Sequence, residues 1–259
     1  MSNILQNYFE YNGKSSADFG IWINGDGRYA SPEPDVESIE VPGRNGALTL
    51  WNGRYRNVSV YYRCVIPKWF KARYDHFRTW LLQDVGYHKL NDTYAKTEFR
   101  KARVLSGLDI SSIEWANDIG TFTVRFDCMP QRFTNDGDAW VDCDESPWSF
   151  IDADWPNSYH SAKPIIATRG YGQITIDHGN NHEDPVTITI AQNTFNYNLY
   201  IDSDLENCYA NINTTMDNRN SYLTLNNGKF PILMPNVVNN ITFDNTFTVV
   251  RIKPRWYRL

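Results

Sequence analysis

No apolar run in this chain approaches the roughly 20 residues that a membrane-spanning helix needs. The start, MSNILQNYFEYNGKS, has no basic stretch followed by an apolar one, so no secretory signal is expected. Cysteine is scarce, four in 259 residues. Cys64, Cys128, Cys143 and Cys208 form no CxxC pair and no zinc-ligand pattern. Cys64 and Cys128 lie in alternating apolar runs and read as buried free thiols. A Cys143–Cys208 disulfide stays open, against the reducing compartment expected for such a chain. Basic excess is also missing. The formal net charge is −5, which argues against nucleic-acid binding as the main task. The charge is uneven: residues 1–136 carry 17 Lys+Arg against 16 Asp+Glu, and residues 137–259 carry 8 against 14. A near-neutral front and an acidic back suggest two domains.

The motifs of common chemistries are absent as well. There is no GxSxG, and no Ser or Cys stands in a recognisable nucleophile setting. There is no GxxxxGK[ST] phosphate loop. The five histidines are His76, His88, His160, His178 and His182. The stretch HGNNHED sets His178 and His182 beside Glu183 and Asp184, but between strands, with no helix to align the pair. It reads as a polar loop. YIDSDLEN offers Asp202, Asp204 and Glu206 at spacing two. Such a row on a strand would suit paired carboxylates of glycoside chemistry. A solvated loop after a strand is the plainer reading, and the DxDxDG pattern of a calcium loop is missing.

What the chain has is aromatic and alternating. Aromatics make up 15% and hydrophobic residues 41%, a mix that suits strands. Residues 5–11, 19–24 and 55–66 alternate, with Val58, Val60, Tyr62, Cys64 and Ile66 on one face. Pro67 is placed to open a helix whose apolar stripe is Phe70, Tyr74, Phe77, Leu81 and Val85, broadened by Trp80 and closed by Gly86. Phe122, Val124, Phe126 and Cys128 give a further half-buried strand, with Pro130 closing it. Residues 131–162 are irregular. From Lys163 onward only short strands with turn signals follow, as in a sandwich or barrel.

One stretch stands apart: VPGRNGALTL, residues 41–50. Its flanks are extended and alternating, so the Gly-rich centre turns a hairpin rather than cradling a phosphate. Gly and Asn there can supply positive φ angles. Arg44 at the tip is then either solvated or in contact with a partner.

The motifs taken in order resemble the siphophage distal tail protein family, often called Dit. In the front half these are FEYNGKSSADFGIWI (9–23), PEPDVESIEVPGRNGALT (32–49), FRTWLL (77–82) and FTVRFDCMPQRF (122–133). In the back half they are KPIIATRGYG (163–172), LYIDSDLENCYAN (199–211), LNNGKFPILMPNVVNNITF (225–243) and IKPRW (252–256). The resemblance implies a mainly β chain. Residues 1–135 would be a ring-forming β-sandwich with one α-helix and an extended hairpin. Residues 136–162 would be an irregular linker. Residues 163–259 would be a galectin-like β-sandwich whose last strand, near 247–259, can return toward the first domain. It further implies a non-enzymatic virion protein of the phage tail tip, assembled in the host bacterial cytoplasm, with no cofactor, no metal and no membrane insertion. Six copies would form a ring joining the tail tube protein to tail-fibre or receptor-binding proteins. The tape-measure protein and the DNA would pass the lumen without specific binding. Pro42, Gly43, Arg44, Asn45 and Gly46 would then meet the neighbouring subunit. The alternative function is a carbohydrate-binding module for host cell-wall saccharide, since a fold shared with galectins does not itself establish sugar binding.

Overall fold

The computed structural model describes residues 7–105, 107–150, 160–179, 184–212 and 215–259. Strand accounts for 50% of the chain and helix for 9%, so the protein is mainly β, as the alternation and the resemblance imply. The chain divides into two compact units, residues 1–132 with Leu259 and residues 133–258.

In the first unit one antiparallel sheet runs in the order Lys14–Ser15, Phe9–Tyr11, His88–Asp92, Glu98–Arg103, Ile119–Thr134, Val58–Ile66, Trp22–Gly27. Asp109–Glu114 pairs with the start of the long strand Ile119–Thr134. The register explains the core. Phe122 faces Cys64, Val124 faces Tyr62, Phe126 faces Val60 and Cys128 faces Val58. Both alternating sets therefore lie on one side of the sheet, and all are buried. That side is covered by the helix Phe70–Leu81 through Phe70, Tyr74, Phe77, Trp80 and Leu81. Rings fill the space between: Phe9 stacks on Tyr62 at 5.3 Å and meets Phe126 edge-on at the same distance. Burying each such side chain contributes roughly 1.5–3 kcal/mol.

The helix is shorter than its apolar stripe. Trp69 takes a left-handed conformation, φ 57°, so the helix cannot extend back to Pro67. At the other end the Leu82 amide donates to the Arg78 carbonyl and the Gln83 amide to that of Trp80. The Asp84 carboxylate then takes the Gly86 amide at 2.8 Å and turns the chain away. Val85 is consequently exposed rather than packed, and Gly86 lies beyond the helix.

Two strand limits also differ from the pattern. The expected single strand over 55–66 is two, Leu48–Tyr55 and Val58–Ile66. Arg56 leaves the alternation because its amide donates to the Glu33 carbonyl. Asn57 leaves because its side chain donates to the Tyr87 hydroxyl and to Asp127. Pro130 does not end its strand, which continues to Thr134. The proline stands two residues beyond Cys128, where the pairing with Val58–Ile66 stops.

The second unit is a sandwich of two antiparallel sheets. Six strands run in the order Val141–Asp142, Val249–Lys253, Ile165–Arg169, Leu199–Asp202, Asn207–Ile212, Thr215–Asn218. Five run in the order Trp148–Phe150, Asn239–Phe243, Gly172–Asp177, Val186–Ile190, Leu223–Leu225. Ile166, Leu199, Ile201 and Ile252 of one sheet meet Ile174, Ile176, Ile188, Ile190 and Ile241 of the other in one buried cluster. Inner faces that alternate with polar outer residues are what two sheets packed face to face require. Part of the expected irregular linker belongs to this sandwich. Val141 pairs with Ile252 and Trp148 with Ile241. These edge strands span only 2 and 3 residues, too few to show alternation in sequence. Among the described residues no helix is long and apolar enough to cross a membrane.

Candidate interaction arm

The strands Pro34–Ile39 and Leu48–Tyr55 form a two-stranded sheet that pairs with no other strand among the described residues. Ile39 pairs with Leu48 and Glu37 with Leu50, so Ile39, Leu48 and Leu50 share one face. They are 43%, 42% and 53% exposed. Val36 pairs with Trp51 on the opposite face, and Trp51 is 57% exposed. An isolated hairpin of this kind is marginal in water. Apolar side chains on both faces make it more so.

The base of the arm is held by charge. Asp35 is buried and receives Arg54 Nε at 2.7 Å and Arg56 Nε at 3.0 Å. These two guanidinium groups hold the Asp35 carboxyl below its usual range, against a smaller opposing push from burial. Above, the Trp51 indole N–H donates to the Arg54 carbonyl at 3.3 Å.

The tip holds the five residues singled out in the sequence. The Arg44 amide donates to the Val41 carbonyl at 3.1 Å. Pro42 and Gly43, φ 80° for the glycine, stand at the two central positions of this turn, the arrangement of type II. Gly46 also takes a positive φ, 79°, whereas Asn45 does not. The connection between the strands therefore runs over residues 40–47 as a broad loop, not a tight two-residue turn. Pro42, Gly43, Arg44, Asn45 and Gly46 are all exposed, and Arg44 makes no ion pair among the described residues.

The tip was visible in the sequence; the apolar arm was not. Leu48 and Leu50 alternate with Thr49 like any half-buried strand. The available signal was Trp51, which breaks the alternation and puts a large ring on the wrong face for a strand with a single core side.

The other candidate chemistries are occupied structurally. Asp202 ends its strand, and Asp204 and Glu206 lie in the following turn, so the three carboxylates share no strand face. Asp202 is 2% exposed. It receives both terminal nitrogens of Arg255, at 2.8 and 2.6 Å, and the amides of Asp204 and Leu205. Burial pushes its pKa up, but Arg255 and the two amides outweigh this and the net direction is down. A carboxylate held ionised by four donors is no general acid, and the glycosidase reading loses its leading residue. His178 is buried with Nδ1 3.0 Å from the Asn239 side-chain oxygen. The Asn239 amide nitrogen in turn donates to the Met234 and Val237 carbonyls, so His178 closes a loop staple. His182 and Glu183 lie outside the described residues. Among the described residues no group of three His, Cys, Asp or Glu is placed to hold a metal ion. All four cysteines are free and buried, which excludes the Cys143–Cys208 disulfide.

Comparison with solved structures meets the resemblance read from the motifs. The SPP1 Dit protein, described as a paradigm of the hub adsorption apparatus of phages infecting Gram-positive bacteria, superposes with a TM-score of 0.66. The match covers 95% of this chain and 96% of that one, at 11% identity. The fold is that of a phage distal tail protein. A chain of the phage P2 baseplate, in its activated conformation with calcium, matches with a TM-score of 0.52 and 7% identity over 95% of this chain and 97% of its own length. The strontium form gives 0.50 and 8% identity over the same shares. No protein-family model matches the chain, and no curated protein matches it in sequence.

Proposed function

We propose that this chain is a non-enzymatic structural hub of a long, non-contractile phage tail, closed into a ring through its arm. The observation that carries this reading is the arm itself: a hairpin with exposed apolar residues on both faces and no other strand paired with it among the described residues. An exposed edge of this kind invites pairing with another chain, and a closed head-to-tail ring satisfies every copy at once. The distal-tail fold over nearly the whole chain supports the same reading. In it the ring is a homo-hexamer, with the tail tube on one side and the tail-fibre or receptor-binding apparatus on the other. The tape-measure protein and genome pass its lumen. The protein is assembled in the host cytoplasm and works in the virion. Arg44 meets an acidic or carbonyl-rich surface on the next subunit.

Native mass of the purified chain tests this. A ring of six subunits of 30.1 kDa gives six times that mass, about 180 kDa. Arg44→Glu is expected to shift the distribution toward the single subunit while leaving the melting temperature unchanged. Full assembly by Arg44→Glu would remove Arg44 from the interface. A monomer for the wild type at high concentration would instead favour the carbohydrate-binding alternative, which a glycan array on the full chain then tests.

A further inference from the structure

Away from the arm, the first unit has a second apolar surface, and it lies along an open strand edge. The strand Asp109–Glu114 pairs with the start of Ile119–Thr134 and with no other strand among the described residues. Its Ile113 packs against the core, and its other five residues are exposed. Trp115 follows at 72% exposure, and Leu105 and Ile110 are exposed as well. An open edge beside large apolar side chains is a ready seat for another strand. Unlike the arm, this edge belongs to a sheet anchored in its own core.

Charge decides which strand fits there. Residues 105–119 carry Asp109, Glu114 and Asp118 and no Lys or Arg. Asp109 faces Arg125 at 3.4 Å but keeps its side chain 68% exposed. Glu114 accepts from the neutral Asn117 side chain. The arm divides its charge between its two strands. Residues 33–40 carry Glu33, Asp35, Glu37 and Glu40 and no base, whereas residues 41–56 carry Arg44, Arg54 and Arg56 and no acid. Arg54 and Arg56 hold Asp35 and still stay mostly exposed. Of the two arm strands, Leu48–Tyr55 therefore has the sign that suits the acidic edge, and Pro34–Ile39 has the sign it repels. The edge of Leu48–Tyr55 away from Pro34–Ile39 pairs with no strand among the described residues.

We propose that the edge Asp109–Glu114 seats the arm of a second copy of this chain, with Leu48–Tyr55 of one copy adding to the sheet of the next as an extra strand. Main-chain hydrogen bonds then complete two open edges at once. Leu105, Ile110 and Trp115 give Leu48 and Leu50 of the incoming arm an apolar partner, and the three acids meet its arginines. Arm and seat are different parts of one chain, so the contact is head-to-tail, as a closed ring requires. The inference rests on the ring reading and adds the receiving surface to it.

Cross-linking of the full chain tests the seat. The native cysteines are buried, so cysteines introduced at the exposed Thr49 and Ser111 are the ones a short bismaleimide joins in the folded protein. The double variant Thr49→Cys, Ser111→Cys is expected to give a covalent ladder of multimers, and neither single variant is. Trp115→Ser is expected to raise the concentration of half-assembly at least ~10-fold, as for a central aromatic anchor, with the melting temperature of the single subunit unchanged. A full-mass ring without the ladder overturns the seat and leaves the ring standing. A ring as stable in Trp115→Ser as in the wild type also overturns it. A wild type that stays a single subunit at every concentration overturns the ring reading and the seat with it.

Discussion

The strands Leu48–Tyr55 and Val58–Ile66 are separated by two residues, and both read as alternating apolar segments. Yet every second residue of the later strand is buried, while almost the whole earlier strand is exposed. Alternation fixes the period of a strand. It says nothing about what covers the apolar face. For Val58–Ile66 the cover is the helix Phe70–Leu81, supplied a few residues later in the same chain. For Leu48–Tyr55 none of the described residues supplies one.

The contrast is sharpest in what each strand should tolerate. Phe77→Ala empties the centre of the helix–sheet core and is expected to cost about 3–5 kcal/mol in urea-induced unfolding. A loss under 1 kcal/mol would mean that the helix is not the cover of that sheet.

In the second unit, Arg255→Leu leaves Asp202 buried without its cation. A cost of about 3 kcal/mol is expected at neutral pH. Because the folded pKa of Asp202 is depressed, its contribution is complete above the ordinary carboxylate pKa of about 4. It fades as pH falls through the lower folded value. Acid titration of the wild type should therefore show a loss below about pH 4 that Arg255→Leu lacks. Equal acid sensitivity in both would remove the Arg255–Asp202 pair as the cause.

On the arm, Leu48→Ser with Leu50→Ser is expected to change unfolding free energy by less than about 0.5 kcal/mol, as for ordinary surface positions. The same double variant should lose the high-mass species in native mass measurements. A large fall in monomer stability would show that the arm is covered within its own chain.

Much of this was legible in the sequence, for reasons that can be named. The faces of Val58–Ile66 and Ile119–Cys128 followed from alternation, and the helix from its stripe, because burial is enforced at every repeat. The ends of elements were less legible. Trp69 takes a left-handed angle that glycine would normally supply, and Asp84 turns the chain before the glycine expected to do so. Val141–Asp142 and Trp148–Phe150 are strands only because a neighbour pairs with them. Arg44 was singled out as a lone cation between flexible glycines. Trp115 was not, since what sets it apart is the open edge of Asp109–Glu114, which depends on how strands distant in sequence pair.

The four buried cysteines give the two units separate built-in reporters. Cys64 and Cys128 sit in the first core, Cys143 and Cys208 in the second. Burial raises the Cys128 and Cys143 pKa values to about 12 and that of Cys208 to about 11, so the folded protein holds thiols and almost no thiolate at neutral pH. An alkylating reagent reacts with the thiolate and must wait for a unit to open. The rate at which each pair is modified thus times the opening of its own unit, with no label or substitution introduced.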